Sequence, residues 1–379
     1  MPLLPNDPPA AAYVHVPFCR HRCGYCNFTL VAGRDDLISR YLQAIELELA
    51  QLPQRYLLDT LYFGGGTPTH LSAADLSRLF GAIRRRFDLS PGAEFTVEAN
   101  PLDLDVDRRA VLQEAGVNRL SLGVQSFRDD KLAALERDHR RDDIDGAVKT
   151  ARALAQSVSL DLIYAAPGET LLQWCSDLDE AIATGVDHIS IYGLTIEQGS
   201  AFYGRWLKGN LTKTPEPIEA DMYEAAIDRL TDAGYQQYEV ASFAQPGHHS
   251  RHNAIYWQGR SYFACGPGAA RYVAGRREIN HRSTTTYIQR LLKGQSAIAQ
   301  SEELDAEARA RERLVLGLRQ LAGINRGRFQ EETGYDLLEL VGTQLESLLE
   351  YGLLCWSSDY LQLTRRGLLV SDSIWPRLL

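Results

Sequence analysis

Positive charge is nowhere concentrated in this chain. Its 40 Lys and Arg residues are outnumbered by 49 Asp and Glu, the formal net charge is −9, and no basic block breaks the balance. A surface that tracks nucleic-acid phosphates is therefore not expected. Long apolar runs are missing as well, none approaching the ~18 residues that a membrane helix requires. The opening MPLLPNDPPAAA has neither the basic n-region nor the long apolar h-region of a secretory signal. Cysteine is sparse and uneven. Of six, three crowd together as Cys19, Cys23 and Cys26, while Cys175, Cys265 and Cys355 stand far apart. That pattern argues against a disulfide framework. A cytoplasmic, reducing location is the expectation. Repeats and low-complexity tracts are absent, and no G-x-G-x-x-G follows a first strand, so the dinucleotide-binding fingerprint is missing too.

With 379 residues, 45% of them hydrophobic, the chain is long enough for one large α/β domain and a smaller appendage. Strands are expected at 13–17, 60–63, 95–99, 119–124, 160–164 and 188–192, alternating with helices near 37–52, 73–86, 106–115, 143–155 and 171–184. The first helix carries Leu37, Tyr41, Ile45, Leu49 and Leu52 on one apolar face, and Ser72 is placed to cap the second. Strands separated by helices argue for a parallel sheet with right-handed crossovers, curled into a closed or partial barrel. After Leu194 the pattern loosens into a helix near 218–233 and an edge strand near 235–243. Residues 247–270 are irregular, rich in Gly, His and aromatics, and too long for a simple connector. Helices return from Ala306, and the chain closes on a hairpin over 353–356 and 360–364, an order that resembles a winged helix. With no basic stripe, that domain is not read as DNA-binding. The expected division is a mobile lead-in over 1–12, a barrel over 13–245, a connecting region over 246–304 and a winged-helix-like domain over 305–379.

The stretch YVHVPFCRHRCGYCNF, from Tyr13 to Phe28, organises the rest. Its C-x3-C-x2-C array lets three thiolates turn toward one soft metal centre, and thiolate is the usual ligand of iron–sulfur clusters. Three thiolates on a cubane of four irons leave one iron open, which separates a catalytic centre from a closed structural one. Zinc with His15 or His21 as fourth ligand, or three plain buried cysteines, are the alternatives, although paired CxxC knuckles are absent. Further polar residues fall at the C-terminal ends of the expected strands, where a βα barrel gathers its function. Gly64-Gly65-Gly66 either lets a ligand approach the backbone or makes a tight turn. Glu98 reads as a solvated charge, an ion-pair member or a ligand contact. Gln125 ends an apolar strand, where burial requires partners for its amide. Arg137 reads equally well as one more charge on a helix. Asp161 lies in a strand apolar enough to be buried, and a buried carboxylate needs donors.

Taken together, the cysteine array, GGGTP at 64–68 and VEANP around Glu98 resemble the radical SAM superfamily. Tyr-x-His-x-Pro-Phe-Cys further resembles the branch that contains oxygen-independent coproporphyrinogen III oxidase and its HemW-type relatives. The resemblance runs through nearly the whole chain. It implies an incomplete (β/α)6 barrel, a [4Fe–4S] cluster on Cys19, Cys23 and Cys26, and S-adenosylmethionine (SAM) on the open iron. The implied SAM contacts are Tyr13, Gly65, Gly66, Thr67, Glu98, Gln125, Arg137 and Asp161, with the glycine loop on the amino group, Arg137 on the carboxylate and Asp161 on the ribose. Two departures stand out. Ala165-Ala166 replaces the family's Gly-Leu, so the local loop is expected to differ slightly. Ala270-Arg271 follows GPGA where relatives carry His-Ser, so no role of that histidine transfers.

Within the branch, the oxidase carries a further cysteine two residues after the third, and here that position is Phe28. The run Arg251-His252-Asn253-Ala254-Ile255-Tyr256-Trp257 matches the HNxxYW motif of the HemW group, which is associated with heme. His252, Asn253, Tyr256 and Trp257 are the expected heme contacts, with His248 and His249 near enough to compete for iron. Read without the resemblance, these residues would only pin and pack an irregular loop. The resemblance implies a heme chaperone that holds the cluster, SAM and heme. It would deliver heme to an acceptor such as a respiratory enzyme, with transient contact with membrane enzymes. The alternatives are a radical SAM enzyme acting on a porphyrin or other substrate, by coproporphyrinogen III dehydrogenation or methyl transfer, or a protein whose cluster is only structural. The oligomeric state is left open.

Overall fold

A computed structural model describes residues 8–379, so the first seven residues of the expected lead-in lie outside the described residues. The first strand is Ala11–Val16, two residues earlier than expected, because Ala11 and Ala12 already pair with Thr60 and Leu61 of the second. Tyr56–Gly65, Phe87–Ala99, Arg119–Gln125, Ser157–Tyr164 and His188–Gly193 follow it in spatial order, all parallel. Helices Ile38–Ala50, Ala73–Arg84, Val106–Ala115, Arg141–Leu154 and Leu171–Ala183 cross over between them. Ser72 caps the second helix, its side chain accepting from the Asp75 amide at 3.2 Å. Tyr41, Ile45 and Leu49 of the first helix are buried as their spacing requires. At the far edge the expected single strand near 235–243 is a hairpin, Gln236–Gln237 and Ser242–Ala244, whose second strand pairs antiparallel with the sixth strand. Among the described residues the two edge strands of the sheet do not pair with each other, and the barrel is open.

The boundary placed at 245 cuts through this sheet. Strand Phe263–Cys265 runs parallel beside the first strand, pairing Ala264 with Tyr13, so part of the expected connecting region belongs to the barrel. The segment before it runs under the starts of the strands. The Arg119 guanidinium donates to the His248 carbonyl at 3.0 Å, and the Glu94 carboxylate accepts from the amides of Arg251 and His252 at 3.0 and 2.9 Å. Helix Arg251–Trp257 thereby forms the barrel floor, opposite the cysteine loop. Glu48, on the first helix, fastens this region from outside. It is buried and accepts from Tyr287 at 2.5 Å, Asn280 at 2.6 Å and the Gly266 amide at 2.9 Å.

A small antiparallel sheet, Ala270–Val273, Arg276–Asn280 and Ile298–Glu303, leads into the C-terminal part. There helices Ala306–Leu318, Arg326–Thr333 and Leu337–Glu350 precede the hairpin Leu354–Ser357 and Tyr360–Leu363, with Ile324–Asn325 as a third strand. Leu314, Phe329, Leu345 and Leu361 share a core separate from that of the barrel. Among the described residues no helix is long and apolar enough to cross a membrane.

Candidate functional site

The C-terminal strand ends open into a cavity of about 400 Å³. Its wall includes the three cysteines, Gly65, Gly66, Thr67, Glu98, Gln125, Arg137 and Asp161, residues drawn from between positions 19 and 161 of the sequence and expected as one set. Tyr13 stands just behind them. Its hydroxyl lies 3.1 Å from His15 Nδ1, and His15 Nε2 lies 2.7 Å from the Thr29 carbonyl oxygen. Both nitrogens of His15 are thus committed, and burial lowers its pKa to about 4. His15 is an anchor for the cysteine loop, which removes it from the zinc alternative.

Each glycine of the triplet has a separate steric reason. A Cβ on Gly64 would meet the Glu98 carboxylate at 2.7 Å, and one on Gly66 would meet the Val16–Phe18 backbone at 2.8–2.9 Å. Gly65 has φ +109°, and its Cβ would strike the His15 ring at 2.4 Å. The loop's amides are also committed: Gly65 N–H donates to Glu98 at 3.0 Å, Gly66 N–H to Val16 O at 2.8 Å, and Thr67 N–H to Phe18 O at 2.8 Å. A phosphate-binding loop needs free N–H groups. This one is short of them and suits an amine, which seeks acceptors.

The remaining polar residues are held by neighbours. Glu98 also accepts from the Tyr62 hydroxyl at 2.8 Å, and burial pushes its pKa up to about 7. Asp161 accepts from Ser121 Oγ at 3.1 Å, and burial raises it to about 6. Gln125 adopts φ +66°, a left-handed conformation uncommon for a non-glycine residue and one that clusters at functional sites. Ala165, one of the two expected departures, takes φ +61°, a left-handed turn adopted despite the methyl. Arg137 donates to the Gly123 carbonyl at 2.7 Å and approaches Cys23 Sγ at 3.5 Å, while its Nε is buried without a partner among the described residues.

These features fit a cluster with SAM. All three thiols are free, and Cys19 Sγ rests 3.4 Å from the Thr67 hydroxyl. Burial pushes the Cys19 thiol up to about 12 and raises that of Cys26, so bound iron is what would displace their protons. Among the described residues no three His, Cys, Asp or Glu donors converge on one point. The thiols border a space, as a multi-iron cluster requires. The orphaned Arg137 Nε supplies a cation for a carboxylate, and the glycine loop, its amides already committed, is a poor partner for an anion.

The HNxxYW residues lie at the other end of the barrel. His252 is 1% exposed, with Nδ1 2.9 Å from Thr60 Oγ1, Nε2 2.8 Å from the Tyr256 hydroxyl, and its ring stacked on Tyr62 at 5.0 Å. Burial lowers its pKa to about 3. The Asn253 amide N–H donates to the capping Ser250 at 3.3 Å. Tyr256 and Trp257 face a second cavity, and the Arg319 guanidinium lies 4.6 Å from the Trp257 ring. His248 is 3.2 Å from Ser157 Oγ, and His249 stacks on Tyr238 at 4.2 Å. The structure thus separates Tyr256 and Trp257, which border open space, from His252, which does not.

Sequence reasoning missed Tyr192, 47% exposed at the end of the sixth strand and bordering the first cavity. The signal was the one that singled out Gln125, a polar residue closing an apolar strand. It also missed Asn100, whose side chain donates to Asp138 at 3.0 Å and steadies the segment next to Arg137.

Residues 13–181 match the model of the radical SAM superfamily, and residues 304–370 match that of the HemN C-terminal domain. Over the full chain, heme chaperone HemW of Bacillus subtilis is 36% identical, the match covering 97% of this chain and 99% of the relative. The chain belongs to the HemW family. HemW of Escherichia coli is 33% identical over 97% of each chain. The mitochondrial radical S-adenosyl methionine domain-containing protein 1 of Bos taurus is 33% identical over 99% of this chain and 88% of its own. The fold of this HemW-family member is similar to that of Escherichia coli coproporphyrinogen III oxidase, with a TM-score of 0.86 at 23% identity, covering 99% of this chain and 91% of that one.

Proposed function

We propose that this chain is a heme chaperone of the cytoplasm. It holds a [4Fe–4S] cluster on Cys19, Cys23 and Cys26 and SAM against Gly65, Gly66, Thr67, Glu98, Gln125, Arg137 and Asp161. It carries heme and passes it to an acceptor protein such as a respiratory enzyme. The observation that carries the reading is the convergence of all these residues on one cavity, joined to the HNxxYW helix at the barrel floor. Relatives named heme chaperone HemW at 32–38% identity support it.

When bound on Cys19, Cys23 and Cys26, the cluster would supply redox-active iron, and SAM would offer its amino and carboxylate groups to the residues around it. The chain's own residues orient those groups. Arg137 would meet the carboxylate with a planar guanidinium fork, the glycine loop would face the amine, Asp161 would accept from ribose hydroxyls, and Tyr13 backs the site by fixing His15. At the floor, Tyr256 and Trp257 offer heme an aromatic wall, and His252 stands behind Tyr256 as its positioning partner.

Phe28 is 62% exposed at the cavity mouth, a position where a thiol would meet substrate. Phenylalanine cannot take part in proton or electron transfer there. The test is an anaerobic incubation of the reconstituted chain with SAM and coproporphyrinogen III. Unchanged coproporphyrinogen is expected, whereas protoporphyrinogen IX accompanied by 5′-deoxyadenosine would replace the chaperone reading with that of an oxidase.

A further inference from the structure

Between the barrel floor, the small antiparallel sheet and the C-terminal helices lies a second cavity of about 620 Å³. That is larger than the barrel mouth and within the range of about 300–1,000 Å³ that ligand pockets occupy. Tyr256, Trp257, Tyr262 and Tyr272 line it, with Tyr256 and Tyr262 edge to face at 4.6 Å. Four arginines, Arg260, Arg277, Arg309 and Arg313, also border it, against two glutamates, Glu312 and Glu332. Arg277 is committed to Glu302 and Glu312, and Arg313 to Glu332. Arg260 and Arg309 form no ion pair or side-chain hydrogen bond among the described residues. The turn opposite is shaped around one of them. Gly275 has φ +79°, and a Cβ there would lie 2.8 Å from Arg309 Nη1. Donors are in surplus as well, since among the described residues Trp257 Nε1 and Arg313 Nη1 are buried without partners.

Flat aromatic walls call for a flat apolar body, and two uncommitted guanidinium groups call for two anionic groups on its edge. We propose that this cavity receives the heme, and that Arg260 and Arg309 bind its two carboxylates. The assignment rests on the chaperone reading above and deepens it. It moves the heme contact away from the enclosed ring of His252 and into a space bounded by both domains. Arginine suits the task because its planar fork matches a carboxylate.

The experiment is a titration of the full-length, cluster-reconstituted chain with hemin and, separately, with hemin dimethyl ester, whose carboxylates are blocked. The parent chain is compared with an R260A/R309A double variant, and SAM binding at the barrel mouth reports that the variant is folded. Hemin affinity is expected to fall about tenfold or more in the variant, while the ester binds both chains equally. Hemin binding unchanged by the substitutions, or ester binding weakened as much as hemin binding, would overturn the assignment and leave the chaperone reading standing. Failure of the parent chain to bind hemin at all would overturn both.

Discussion

The Tyr256 hydroxyl and His252 Nε2 are 2.8 Å apart, and this contact lies between the two cavities. On one side Tyr256 borders the larger cavity. On the other, the His252 ring stacks on Tyr62, whose hydroxyl donates to Glu98 in the wall of the barrel mouth. The neutral imidazole donates from one nitrogen and accepts at the other, so Thr60 and Tyr256 complete its bonding.

His252→Ala removes both hydrogen bonds and leaves a void under Tyr62. A loss of about 2–4 kcal/mol of stability is expected, since each buried partner left unsatisfied costs about 1–3 kcal/mol. Thermal unfolding and heme spectra of the same variant check this. Lower stability with an unchanged heme spectrum is predicted, while unchanged stability with a shifted spectrum would make His252 an iron ligand.

The three clustered cysteines and the three scattered ones should behave differently. Replacing Cys19, Cys23 or Cys26 by Ala is expected to abolish the cluster's visible absorbance after reconstitution. A combined Ala variant at Cys175, Cys265 and Cys355 is expected to keep it. The opposite pattern would move the cluster site.

Glu98 gives the protein a pH dependence of known sign. Its folded pKa of about 7 lies above the ordinary carboxylate value of 4.5, so the folded state holds the extra proton between those values. Stability from this group is full below pH 4.5 and is lost as pH rises toward 7, by up to about 3 kcal/mol. Asp161, at about 6, adds to the slope in the same direction. In denaturant titrations across that range without SAM, Glu98→Gln should flatten the slope and be more stable than the parent at pH 8. An unaltered slope would contradict the assignment.

Lys131 lies 2.5 Å from Glu169 and 3.0 Å from Asp177, all three almost wholly enclosed, and ties the segment before Arg137 to the barrel. Lys131→Ala leaves two buried carboxylates without their cation and is expected to cost about 3–5 kcal/mol. Chemical denaturation measures it, and a change within 0.5 kcal/mol would show that water compensates.

The barrel was legible because its strands alternate with amphipathic helices, and its motifs converge because strand ends in such a fold meet at one face. Other elements carry no local signal. Strand Phe263–Cys265 is three residues long and is defined only by pairing with residues 12–14. Glu48 looks like a solvated charge on a helix until Gly266, Asn280 and Tyr287 arrive from more than 200 positions away. Burial of His252 depends likewise on Thr60, Tyr62 and Glu94, which no spacing near 252 can reveal. Arg260 and Arg309 share a cavity only because the C-terminal helices dock beside the floor.

Heme delivery is the central claim, and one measurement addresses it directly. The reconstituted chain is loaded with hemin under anaerobic conditions with SAM and mixed with an excess of an apo heme protein, while the Soret band is followed. The account predicts that the chain's own heme spectrum is replaced by that of the loaded acceptor, with the porphyrin unmodified. Hemin that never binds the chain, or binds and is chemically altered without reaching the acceptor, would contradict it.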